Sequence, residues 1–210
     1  MGIETYVKKF VDGGIIGENG TKIVFQHGNA TASFGISCHN ATFIWVYQAT
    51  HDGALPPQAA LESGNTQKFV NKLVAYGNAV RVTEKNPPLA ADVLIFTNTD
   101  STQAEHTCVA IRGGGIIAGY NQTGWFAKEN GLQRGLSHDF SAHSVKALDW
   151  VERSSAFTQR RVIANNVQRY LWAVREATAM DAMRDFLPYI RSVESVAALQ
   201  KALRDKQNKK

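Results

Sequence analysis

Ser37-Cys38-His39-Asn40-Ala41-Thr42-Phe43-Ile44-Trp45-Val46-Tyr47-Gln48-Ala49 is the stretch on which the fold turns. Its apolar content is nearly continuous, so periodicity alone does not separate a buried helix from a buried strand. The β-branched and aromatic run Thr42 to Tyr47 favours a strand on propensity. Three features favour a helix instead: Asn40 can cap it, small Ala41 and Thr42 suit a crowded first turn, and Gln48-Ala49 continue without a break. A helix here sets Cys38 at its start, where the positive end of the macrodipole favours thiolate over thiol. Such a cysteine is a nucleophile in want of a base.

On the amino-terminal side, Ile3, Tyr6, Val7, Phe10 and Val11 recur at helical spacing until Asp12-Gly13-Gly14 stops them. Lys22 to Gln26 reads as a strand with His27-Gly28-Asn29 as its exit, and a polar, small-residue segment leads on to Cys38. On the other side, His51 to Pro57 is a loop, Gln58 to Leu61 and Thr66 to Leu73 have helical patterns, and Ala79 to Thr83 is a short strand. Asn86-Pro87-Pro88 imposes an extended, turn-like path.

The clearest sheet signal follows. Ala91 to Thr97, His106 to Ile111 and Ile116 to Asn121 are three apolar runs separated by a polar loop and by the turn Arg112 to Gly115, which implies an antiparallel meander. Helices first and a meander second is an α+β arrangement. Beyond Trp125-Phe126 the chain turns polar, with His138-Asp139 in loop-like surroundings. Helical pattern returns at Ser144 to Val151, from Val167 to Pro188 and from Val193 to Arg204, and Asp205 to Lys210 is expected to be disordered. The domain organisation read from this is a catalytic unit over residues 1–153 with a helical C-terminal extension of the same domain over 154–210.

His106 is the best base for Cys38, because it opens a strand directly after a polar loop, where a side chain can face a cleft. Cysteine–histidine catalysis needs the imidazole to take the thiol proton and later to protonate the leaving nitrogen, with a third polar group holding the ring. Asn121, on the strand expected beside that of His106, is the natural orienter, with Gln122 and Asp149 as alternatives. Each residue also has a plainer role: Cys38 as a small buried hydrophobe, His106 as a structural histidine, Asn121 as a turn residue. Cys108, two positions from His106, has apolar neighbours that suggest a core position.

Composition narrows the field. The 210 residues, 44% hydrophobic and 20% charged, are those of one ordinary globular domain. No apolar run reaches the roughly 18 residues of a membrane span, and the amino end lacks the basic-then-apolar order of a secretory signal peptide. Two cysteines are too few for a disulfide framework, and neither they nor His138-Asp139 and His143 have metal-ligand spacing. The net charge of +5 is carried by the tail: residues 151–210 hold 12 Lys/Arg against 6 Asp/Glu. That balance suits either a solvated helical face or an anionic partner. The Gly113-Gly114-Gly115 run lacks the lysine of a phosphate loop, and no basic-aromatic interleaving of the RNA-binding kind is present.

Three segments, covering residues 34 to 125, carry a resemblance. Cys38 running into Ala41 to Tyr47 is similar to the nucleophile helix of the NlpC-type and CHAP amidohydrolases, the papain-like peptidases and amidases of bacterial cell-wall metabolism. Pro87 to Phe96 resembles their segment of proline, glycine, aspartate and apolar strand, with Ala91 standing where glycine is usual. His106 to Ile111 followed by Gly113-Gly114-Gly115 resembles their catalytic-histidine strand and turn. The resemblance implies a papain-like fold with nucleophile Cys38, base His106 and third residue Asn121. Some related effectors use a later aspartate, which keeps Asp149 in place as the other choice. It further implies a bacterial effector delivered without a classical signal peptide and cytoplasmic in the producing cell. Such a protein would cut peptidoglycan peptides or deamidate a host protein such as a Rho GTPase. No cofactor or metal is implied; the expected partners are the amide substrate and an immunity protein or secretion machinery, with no nucleic acid. The competing expectation is a non-catalytic papain-like binding module that uses its basic tail to hold an anionic partner.

Overall fold

A computed structural model describes residues 1–12, 23–27, 30–34, 38–61, 63–75, 78–83, 85–97, 104–114, 116–122, 138–143 and 170–208. The chain is an α+β fold built from α1 (Ile3–Asp12), α2 (Cys38–Thr50), α3 (Ser63–Ala75) and the long α4 (Glu176–Gln207) with an antiparallel sheet. Among the described residues the sheet has six strands in the order β3 (Val80–Arg81), β8 (Tyr170–Val174), β4 (Val93–Thr97), β5 (Ala104–Ile111), β6 (Ile116–Gln122), β7 (His138–His143). A separate hairpin pairs β1 (Ile23–His27) with β2 (Ala30–Phe34).

α2 is the central element. Every residue from His39 to Val46 is buried, and the helix touches α1, α3, α4, β5 and β6. A segment apolar on all sides and enclosed by protein must satisfy its own backbone, which a helix does internally and a lone strand does not. That is why Phe43, Ile44, Trp45 and Val46 sit in a helix against their strand propensity. Phe43 makes edge contacts with Phe69 of α3 and Phe186 of α4 at centroid separations of 5.2 and 6.3 Å. α4 is clamped to α3 by polar contacts as well: Tyr189 Oη donates to Asn65 Oδ1 at 2.6 Å, and Asn65 Nδ2 donates to the Ala59 carbonyl at 2.8 Å.

Strand alternation divides the sheet into two faces. Val93, Ile95, Thr107, Val109, Ile111, Trp172 and Val174 belong to the face packed on α2, as the cross-strand pairs Ile95–Thr107, Ile95–Trp172 and Val93–Val109 require. Leu94, Phe96, His106, Cys108, Leu171 and Ala173 share the other face, which is also buried.

The meander β4-β5-β6 lies where the sequence places it, but four expectations change. The segment expected as helix from Val167 begins with β8, inserted between β3 and β4. Tyr170-Leu171-Trp172-Ala173-Val174 is a short continuous apolar run, which period cannot assign and which a two-sided burial makes a strand. The C-terminal part is therefore integral to the sheet as well as helical. The two helices expected on either side of Pro188 are one: α4 runs through the proline, which has no N–H to give the Arg184 carbonyl, and continues to Gln207 where disorder was expected. From Arg191 onward no residue of α4 is buried, and Val196, Leu199 and Leu203 are exposed. Finally, β2 and β7 form where polar, loop-like segments were expected; β7 carries His138 and Asp139. The expected helix Ser144 to Val151 lies outside the described residues.

The turn into β4 is held from both sides. Ala91 has a left-handed φ of 66°, with its N–H given to the Ala110 carbonyl at 2.7 Å, and the Ala110 N–H returns to the Asp92 carbonyl at 2.9 Å. Buried Asp92 accepts the Leu89 N–H at 2.7 Å and pairs with the Arg175 guanidinium at the head of α4. Burial pushes the Asp92 carboxyl up, against the Leu89 amide and Arg175, which act to hold it down.

Two outcomes follow from this turn. Ala91→Gly removes a left-handed alanine and raises stability by about 1 kcal/mol in urea unfolding. Arg175→Met strips a buried carboxylate of its counter-charge and lowers stability by about 3 kcal/mol at neutral pH. Because the folded Asp92 carboxyl then titrates further above its unfolded value, protonation favours the fold, and the deficit shrinks as pH falls toward about 4. A deficit independent of pH would assign the loss to Arg175 packing instead.

Candidate functional site

Cys38 is the first residue of α2, partly exposed, with the helix behind it buried from His39 to Val46. Four side chains gather at this end. The Thr107 hydroxyl of β5 donates to the Cys38 carbonyl at 3.0 Å and accepts the Thr42 hydroxyl at 3.0 Å, and it lies 3.1 Å from His39 Nδ1. The same Nδ1 is 3.7 Å from Cys38 Sγ, within reach for a sulfur hydrogen bond. Asn40, expected as the cap, is inside the first turn; it donates from Nδ2 to the Leu61 carbonyl at 2.7 Å and accepts the Thr66 hydroxyl at 3.1 Å. It ties the helix start to the segment entering α3.

The electrostatics of the cysteine run against the expectation of a resting thiolate. Burial pushes the Cys38 thiol up, while the backbone N–H groups of Thr107, His39 and Cys38 itself and the Thr107 hydroxyl favour the anion and offset only part of it. Burial also pushes His39 down, against the Ala104 carbonyl and the Gln67 side chain, which favour its charged form. The pair therefore rests as neutral thiol and neutral imidazole, each with neighbours suited to the ionised state. Cys108, wholly buried on the far face, is pushed well up.

Cys38 and His106 are not brought together. Thr107 faces α2, so alternation carries His106 to the opposite face of β5, where its ring lies 5.8 Å from that of Phe96, its cross-strand partner. The sequence locates the strand correctly, but which of its faces meets α2 is set by packing against elements distant in the chain, which no local pattern announces. Asn121 and Gln122 lie on β6, opposite Asp139 and His138 of β7. The β5–β6 ladder runs from Ile111–Ile116 to Val109–Ala118, and counting onward along both strands makes Asn121 level with His106. Asp149 lies outside the described residues. The residues that do meet Cys38, namely His39, Thr107 and Gln67 through His39, went unread; adjacency of His39 to Cys38 was the available signal.

Among the described residues no group of three or more His, Cys, Asp or Glu gathers as a metal site, and no helix is long and apolar enough to cross a membrane. No family model, curated protein or solved structure matches the chain.

Asn40→Ala deprives the buried Leu61 carbonyl of its donor and unpins the start of α2, and it is expected to lower stability by about 2 kcal/mol. Urea unfolding measures it; a change below about 0.5 kcal/mol would mean that water replaces the amide.

Proposed function

We propose that the chain is a cysteine-dependent amide hydrolase of papain-like fold, with Cys38 as nucleophile. The observation that carries the reading is the setting of Cys38: a partly exposed residue at the start of a buried helix, with an imidazole nitrogen 3.7 Å from its sulfur and backbone N–H groups facing that sulfur. A thiolate formed there attacks an amide carbonyl, and helix-end amides suit the oxyanion. The left-handed φ of Ala91, where the resembling family has glycine, and the buried aspartate after it add support from a separate segment. The substrates that fit this chemistry are a cell-wall peptide or a protein side-chain amide, in keeping with an effector.

A second reading, a papain-like binding module without catalysis, is favoured by the position of His106 on the far face and by the neutral state of the Cys38 thiol. Product analysis separates the two. Incubation with purified peptidoglycan and with cell lysate should yield released peptides or a gain of about 1 Da per deamidated side chain, and Cys38→Ala should abolish either. Equal products from the parent and Cys38→Ala, or none from the parent, would favour the binding module.

A further inference from the structure

We infer that His39 is the general base for Cys38 and that Thr107 and Gln67 are its positioning residues; the inference rests on the hydrolase reading above. His39 Nδ1 faces Sγ at 3.7 Å, whereas His106 is turned to the other side of the sheet against Phe96. Thr107 has one hydroxyl proton and two lone pairs, and its three polar neighbours account for all of them. It donates to the Cys38 carbonyl, accepts from Thr42, and keeps one lone pair directed at His39 Nδ1. In the neutral ring that lone pair opposes the one on Nδ1, and it accepts the N–H once the proton has moved, so it favours a proton on Nδ1. The Ala104 carbonyl and the Gln67 side chain, themselves 3.4 Å apart at Gln67 Nε2, lie against the ring and also favour the cation.

The step balances without a co-reactant. The S–H bond of Cys38 breaks as an N–H bond forms at His39 Nδ1, where Thr107 Oγ1 accepts it. The sulfur lone pair adds to the amide carbonyl carbon; the C–N bond then breaks as the leaving nitrogen takes the proton from His39. Water adds to the thioester with His39 again accepting a proton, and the carboxylic acid leaves as the S–H bond re-forms. The base role that the resemblance gave to His106 falls to His39, and Thr107 holds its ring from the helix-facing side of β5. It acts on the imidazole by hydrogen bonding only.

Alkylation of the full chain by iodoacetamide, resolved by site with mass spectrometry between about pH 5 and 10, tests this without knowledge of the substrate. A base at Cys38 produces a rise in Cys38 labelling below neutrality that Cys108 lacks, as the imidazole becomes free to accept a proton. His39→Gln should remove that limb and slow labelling near pH 7 by about 100-fold, leaving only the alkaline rise of an unassisted thiol. His106→Gln should leave the profile unchanged. Thr107→Ser should retain the limb and Thr107→Val should shift or lose it, with Thr107→Ser and His39→Gln carrying the test if the valine variant does not fold. Loss of the limb in His106→Gln, its survival in His39→Gln, or its absence from the parent would overturn the assignment. Failure of the hydrolase reading shows elsewhere, as product formation that survives Cys38→Ala.

Discussion

α2 is enclosed by the sheet on one side and by α1, α3 and α4 on the others, and the remaining architecture serves that enclosure. A helix in this position satisfies its interior backbone groups by itself, but its first turn still presents unpaired N–H groups and its side chains still need partners. At the start of α2 the side chains find their partners in protein: Asn40 reaches the Leu61 carbonyl, and Thr107 bonds the Cys38 carbonyl and Thr42. The contacts that fix the helix against β5 are the contacts that surround the thiol. Stability and chemistry share atoms here, so the site is rigid because the core is.

Much of the fold could be read along the chain. The all-apolar run after Cys38 resolves as a helix once burial on every side is taken into account, and the meander of β4, β5 and β6 follows from three apolar runs with a glycine turn, where Gly113 adopts φ 73°. β8 was missed because five apolar residues in a row have no diagnostic period and led directly into helical spacing. β2 and β7 were missed because small and polar residues carry little strand signal. These misses share a cause: strand identity is decided by partners distant in sequence.

The site shows the same limit at finer grain. Sequence fixed neither which face of β5 turns toward α2 nor which residue of the His106-Thr107 pair meets Cys38, since a one-residue change of phase exchanges every side chain between the faces. Cys38 itself was legible from its position ahead of the helix. Most of its surroundings were not, because the Thr107 hydroxyl reaches the Cys38 carbonyl and the His39 ring only when β5 packs on the helix. The anticipated dipole-stabilised thiolate gives way to a neutral pair for a related reason: desolvation by the packed sheet outweighs the amides directed at the sulfur.

The insertion of β8 between β3 and β4 sets the timing of assembly during translation. β4 is made about seventy-five residues before the strand that covers its edge, and through that interval its row of backbone donors and acceptors faces outward. The nascent protein can wind α2 and join β4 to β5, yet the layer beneath α2 stays incomplete until Tyr170 to Val174 have left the ribosome. Closure of the sheet, and with it the anchoring of Arg175 on Asp92, is a late event. A chain arrested before that point would expose a bare strand edge along β4.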